Sequence, residues 1–283
     1  MSKNATLLHQ IHYQYVDLKN VLEKSISHYV PSNKNISIKT YKDYRLLIFN
    51  QDVVQTLIDI KQPSSLPFVL NQAILAVILF LKEIKTVCLV GTGGGAIARY
   101  LYAINPTIEG DAIEFDEAVI KYAKTFFDFP EQSGEKFNGK SNWLLHHADA
   151  RRYEYRKSYS LIIIDLSEDH KTPNWITSGN HLKKIYASLK DDGIAVFNFI
   201  FENKDIFMQQ LLKIRQQFGQ RSLCFQVPSL NNIVVYAFKS PLNQEIKENI
   251  TVSLDKKSKR WGIDFNFFYQ EIISTNPIGS GIF

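Results

Sequence analysis

The apolar run Thr86–Val90 breaks into Gly91-Thr92-Gly93-Gly94-Gly95, and helical spacing of apolar residues starts at once over Ala96–Ala103. Few sequence features constrain a fold more tightly. The run reads as a buried strand, and the glycines permit a sharp turn. The first N–H groups of the helix then face an anionic or polar ligand beyond that turn. Such a unit opens a parallel α/β sheet, and the rest of the chain must supply the other strands.

Strand-type runs follow at Asp111–Glu114, Asn142–His146, Tyr159–Asp165 and Ile194–Phe199, and helical patterns at Asp116–Phe127, Asn180–Leu189 and Lys204–Phe218. This alternation predicts an α/β fold with a doubly wound, Rossmann-like sheet covered on both faces. Two late runs, Ser222–Val227 and Ile233–Phe238, are close enough to form an antiparallel pair. Ahead of the glycines, Ile36–Tyr41, Tyr44–Phe49 and Val53–Ile60 predict a small antiparallel β module. It follows a helical stretch with Leu8, Ile11, Tyr15, Leu18 and Leu22 in phase. The most apolar stretch, Ala73–Leu81, predicts a buried helix. Pro63, Ser64, Ser65 and Pro67 mark a boundary, so the expected division is an N-terminal helix and β module over 1–65, a nucleoside-binding catalytic domain over 66–240 and a C-terminal extension packed on it over 241–283. In that extension only the apolar patch Trp261–Phe268 stands out.

Polar groups recur where the parallel strands end. Gly91, Gly93 and Gly95 form the first turn, and Glu114 closes the second strand, where a carboxylate can accept from both ribose hydroxyls. Asp149 follows the third strand and Asp165 closes the fourth. Ligands of open α/β sheets bind in the crevice at those ends. The loop after the fourth strand adds Glu168 and Asp169, and three clustered carboxylates on a protein of net charge +5 suit a cationic amine. The same glycines with Glu114 also fit a nicotinamide cofactor.

Other classes fit less well. The excess of 33 basic over 28 acidic residues is small and scattered, so nucleic acid is not the expected partner. Cys88 and Cys224 lie in strand-type runs, which excludes a disulfide scaffold and suits a reducing cytoplasm. No secretory signal is read in the first 20 residues, and no run approaches the roughly 20 apolar residues that span a bilayer. A soluble cytoplasmic protein without membrane partners is the expectation. Gly134–Ser141 matches the phosphate-loop pattern, but a strand follows it where that mechanism needs a helix. Tyr153 and Lys157 have the spacing of a short-chain dehydrogenase pair but precede the fourth strand. His146 and His147 alternate across a strand and make a poor metal pair, so no metal is expected.

Thr86–Phe199 resembles the core of the spermidine synthases, the polyamine aminopropyltransferases built on the class I S-adenosylmethionine methyltransferase fold. Arg45–Thr56, ending in Val-Gln55-Thr56, resembles that family's β-hairpin and its Val-Gln-Ser/Thr element. The resemblance implies that Gln55 lies over the nucleoside, Glu114 holds the ribose, Asp149 with Ala150 reads the adenine, and Asp165 is the catalytic aspartate of the acidic loop. It also implies a homodimer, with decarboxylated S-adenosylmethionine or S-adenosylmethionine as co-substrate.

The amine half departs from the family pattern. Gly94 stands where the family carries an Asp that grips the aminopropyl amine. Its Tyr-His-Glu-Met segment is here Leu70-Asn71-Gln72-Ala73, its Val-Pro-Thr-Tyr is Val227-Pro228-Ser229-Leu230, and its strand-end glutamine is Asn198. Asn71, Glu168, Asp169 and Asn198 are therefore the expected contacts to a small-molecule amine. The expected reaction is aminopropyl transfer to a putrescine-like acceptor with release of methylthioadenosine. A small-molecule methyltransferase and a nucleoside-binding protein without turnover are the alternatives.

Overall fold

The computed structural model describes residues 36–50, 53–132, 140–168 and 171–276. The helix expected in the first 30 residues, most of the phosphate-loop match and Asp169 lie outside them.

Three strands, β1 (Ile36–Tyr41), β2 (Tyr44–Phe49) and β3 (Val53–Asp59), form an antiparallel sheet in that order. After α1 (Val69–Leu75) and a 3-10 turn (Ala76–Phe80), the chain builds a second sheet. Its strands are β4 (Thr86–Val90), β5 (Glu109–Glu114), β6 (Trp143–His147), β7 (Tyr159–Ile164), β8 (Leu189–Ile200), β9 (Ser222–Gln226) and β10 (Asn232–Phe238). They lie in the order β6-β5-β4-β7-β8-β10-β9. The five strands from β6 to β8 are parallel, and β10 runs antiparallel to both neighbours.

The helices follow from local signals. α2 (Ala96–Ile104) starts from Gly95 in the left-handed region, and α3 (Glu117–Phe126) is capped by Asp116, whose carboxylate accepts from Ala118 N and Val119 N. α4 (Gly179–Ser188) and α5 (Lys204–Gln217) are capped by Ser178 and Asn203. Two helices close the described chain, α6 (Gln244–Trp261) and α7 (Phe265–Thr275), where the sequence showed only an apolar patch.

Alternation along the central strands sorts two cores. One face carries Leu89, Leu161, Ile163 and Val196 against α2, α6 and α7, with Trp261 and Phe268 as anchors. The other carries Val90, Ile162, Ile164 and Phe197 against α4 and α5. Strands buried on both faces explain why β7 is apolar almost throughout. The stretch Ala73–Leu81 is buried but only partly α-helical: α1 ends at Leu75 and tightens into the 3-10 turn, and Tyr236 OH donates to the Ala73 carbonyl. No helix among the described residues is long and apolar enough to cross a membrane.

The small sheet packs on α3 through Ile38, Leu47, Val119 and Tyr122, and Arg45 Nη1 donates to Phe126 O at 2.7 Å. That docking carries β3 across the mouth of the large sheet.

Candidate active site

The chain leaves β4 toward β5 and β6 on one side and returns through β7 and β8 on the other, so the order reverses between β4 and β7. A crevice opens at such a reversal. Two features meet there. Gly91, at φ +86°, runs so close to the end of β7 that an added Cβ would lie 2.2 Å from the Asp165 carbonyl oxygen. Asp165 N in turn donates to Val90 O at 2.9 Å, which fixes the aspartate's backbone to the sheet.

Glu114 ends β5 beside the glycine turn. Its Oε2 accepts from Thr92 N and Gly93 N, both at 3.2 Å, and its Oε1 from Phe115 N at 2.9 Å and Asp116 N at 3.1 Å. Desolvation raises its pKa, and those backbone donors oppose the rise. Ala150 is buried with Val90, Ile113 and Ile164 under the strand ends. Asp149 is held by Arg151: the guanidinium Nε lies 3.0 and 3.1 Å from the two carboxylate oxygens and Nη2 2.9 Å from Oδ2. The pairing holds the Asp149 carboxyl below the usual range.

β3 supplies the roof. Its pairing with β2 goes from Leu47↔Thr56 to Ile48↔Val54, leaving Gln55 as the extra residue of a β-bulge. Successive strand residues ordinarily face opposite ways, and a bulge re-aims one of them. Here Gln55 and Thr56 both line the crevice. Thr56 Oγ1 accepts from Gly94 N at 2.7 Å, and Gln55 Nε2 reaches Ser167 Oγ at 3.4 Å across the opening. Asn71, buried on α1, completes the wall with Thr92, Gly93 and Asp165.

Asp165 is the single ionisable side chain among the described lining residues. Its Oδ1 accepts from Asn198 Nδ2 at 2.7 Å, and desolvation, the dominant influence, raises its pKa against that bond. Asn198 Oδ1 accepts from Asn232 Nδ2 at 3.0 Å. Glu168 is exposed and does not line the crevice; its Oε1 accepts from Trp175 Nε1 at 3.4 Å. The structure thus brings Gln55, Asn71, Gly91, Gly93 and Asp165 together, with Glu114 and Asn198 directly behind, and Gly95 turns into α2 out of the lining. Asp149 and Ala150 sit at the neighbouring strand end. Asn232 and Ser167 had no sequence signal beyond being polar loop-edge residues.

The sequence profile of the spermine/spermidine synthase domain matches residues 67–249. The chain belongs to this family. The polyamine aminopropyltransferase of Neisseria meningitidis is 25% identical over 247 residues, covering 86% of this chain and 90% of the relative. Among solved structures, a probable spermidine synthase from Corynebacterium glutamicum superposes with a TM-score of 0.66 at 18% identity, over 81% of this chain and 87% of that one. Human methyltransferase-like protein 13, solved in complex with SAH, gives 0.57 at 19% identity, over 67% and 91%. The spermidine synthase fold and the class I methyltransferase fold are thus shared by this sheet, as the resemblance implied. Within the family, this member places glycine at position 94 under Thr56, where a Cβ would meet Thr56 Cγ2 at 2.8 Å.

Proposed function

We propose that the protein transfers an aminopropyl group from decarboxylated S-adenosylmethionine to a small amine, releasing methylthioadenosine. The observation that carries this reading is Asp165: a desolvated carboxylate fixed at the reversal of strand order, bordering the glycine turn and walled by uncharged side chains. Family membership and the SAH bound to the structurally similar human methyltransferase-like protein 13 support an adenosyl-type co-substrate.

The chemistry suits one carboxylate. The acceptor nitrogen's lone pair forms a bond to the aminopropyl carbon, and the C–S electron pair returns to sulfur, which leaves as a neutral thioether. Departure therefore needs no acid. The nucleophile is the difficulty, because an alkylamine of pKa near 10 is mostly protonated at neutral pH and freeing its lone pair costs about 4 kcal/mol. Asp165 accepts that proton and holds the nitrogen in line, and its raised pKa brings it nearer the amine it must deprotonate. Glu114 and the glycine turn hold the ribose, and Gln55 closes over the nucleoside, so that alignment contributes a further share of the acceleration.

The test is to incubate the protein with each sulfonium donor and a panel of amines. Methylthioadenosine is the expected product. S-adenosylhomocysteine in its place establishes a methyltransferase, and neither product establishes a nucleoside-binding protein without turnover.

A further inference from the structure

The two oxygens of Asp165 are not equivalent. Oδ1 takes the Asn198 Nδ2 donor at 2.7 Å, and Asn198 Oδ1 takes the Asn232 Nδ2 donor at 3.0 Å. An ionised carboxylate only accepts, so Asn198 must turn its NH2 toward it and its carbonyl away. That carbonyl needs a donor, and Asn232 supplies one. Asn198 is 6% exposed, so a carbonyl left without a donor there is costly. The sheet sets the reach: in the β8–β10 register Val234 lies opposite Asn198 and Asn232 opposite Ile200.

We infer that Asn232 is a positioning residue: through Asn198 it keeps Oδ1 of Asp165 occupied and leaves Oδ2 as the atom that takes the amine proton. The proton moves from the acceptor nitrogen to Oδ2 as the nitrogen lone pair becomes the new C–N bond, and Oδ1 still accepts from Asn198 in the neutral acid. Without the Asn232 donor, Asn198 is free to turn over and aim its carbonyl at the carboxylate, which favours the protonated acid and spoils the base. Among the described residues, charged neighbours do not obscure the effect: burial and the Asn198 bond are what act on the Asp165 carboxyl. Gln55 and Thr56 from β3, Asn71 from α1, the glycine turn, Asn198 from β8 and Asn232 from β10 are all uncharged, and the Glu168 carboxylate is engaged by Trp175.

The inference rests on the transferase reading, but the relay exists without substrate and is tested both ways. Asn232→Asp places an acceptor where the donor stood, Asn232→Ala removes the donor without adding charge, and Asn231→Asp adds the same charge at an exposed neighbouring position. In Asn232→Asp the acidic limb of the kcat/KM profile is expected to move up by about one pH unit or more, so that at a fixed pH on that limb the rate falls roughly tenfold and recovers at higher pH. The donor KM should change less than about twofold, since the donor contacts are untouched. Asn232→Ala should move the limb the same way by less, and Asn231→Asp should leave it in place. Infrared titration of carbon-13-labelled aspartate, assigned by difference against Asp165→Asn, should show the same upward order in substrate-free protein. Coincident titrations in wild type, Asn232→Asp and Asn232→Ala overturn the inference, as does an Asn231→Asp shift equal to that of Asn232→Asp. If the wild type turns over no donor, the transferase reading fails while the infrared titration still decides the relay.

Discussion

Gly91 and Asp165 are locked together: an added Cβ on the glycine would meet the aspartate's carbonyl oxygen at 2.2 Å, a backbone atom that can yield only if the strand end shifts with it. The turn also needs φ +86° there. Gly91→Ala therefore carries two penalties, a left-handed conformation of roughly 1–2 kcal/mol and overpacking of roughly 1–3 kcal/mol. Chemical denaturation should show stability lower by about 2–5 kcal/mol. Because relief comes by pushing the end of β7 outward, methylthioadenosine affinity and turnover should fall with it. A variant as stable and as active as wild type refutes this picture of the crevice.

The second expectation concerns Asp165 itself. Asn keeps the shape and an acceptor but takes no proton, and loss of a general base costs roughly 10²–10⁴-fold in rate. Asp165→Asn should lose transfer by that factor while nucleoside affinity stays within about twofold, since the carboxylate's hydrogen-bond partner is Asn198. Glu168→Gln with Asp169→Asn is the control for rescue by the loop acids. Because desolvation raises the Asp165 pKa, the acidic limb of the wild-type profile should lie above the ordinary aspartate value near 3.9. Turnover of Asp165→Asn within threefold of wild type removes it from the mechanism.

Donor choice is a third. The absent carboxylate at position 94 gives up a charged hydrogen bond, so affinities for carboxylated and decarboxylated donors should agree within roughly tenfold, about 1.4 kcal/mol. Restoring the acid is not a single substitution, because a Cβ at 94 would press on Thr56 Cγ2 at 2.8 Å. Thr56→Ser removes that methyl and keeps the Oγ1 that accepts from Gly94 N. Gly94→Asp with Thr56→Ser should therefore discriminate for the decarboxylated donor more strongly than Gly94→Asp alone. Calorimetry with both donors measures it, and equal preference in the two variants argues against steric control by Thr56.

What was legible in the sequence follows from what each residue depends on. The strand runs, the glycine turn and the acids at strand ends are local, and β4, β5, β7 and β8 lie where the pattern puts them. α6 escaped because only Ile250, Leu254 and Trp261 are buried along its 18 residues, a stripe too thin to show as periodicity. Its ends were marked all the same, by Asn243 accepting from Glu245 N and by Gly262 at φ +62°. Gln55 was singled out by resemblance, but the bulge that turns it and Thr56 to the same side belongs to the β2–β3 pairing, which no single strand reveals. Asn232 depends on the β8–β10 register in the same way.

The last expectation is a pH dependence of stability centred on His181, which does not line the crevice. The imidazole is buried in the first turn of α4 with its Nε2 unpartnered among the described residues, edge-on to Trp175 at 5.0 Å between ring centroids. Burial, with Lys184 adding repulsion, pushes its pKa down to about 4. The positive end of the helix dipole acts in the same direction. An unfolded histidine titrates near 6.5, so the unfolded state binds the proton more readily. The neutral ring's contribution is fully present above about pH 6.5, is lost as pH falls toward about 4, and changes no further below that. The loss amounts to about 3 kcal/mol at most. Carboxylates titrate in part of the same range, so the useful quantity is a difference. His181→Phe keeps an aromatic ring against Trp175 and has no proton to bind. Urea midpoints of wild type and His181→Phe should lie close at pH 7.5 and diverge progressively from pH 6.5 to 4, with the variant the more stable. Parallel curves across that window would mean that the ring reaches solvent when it is protonated.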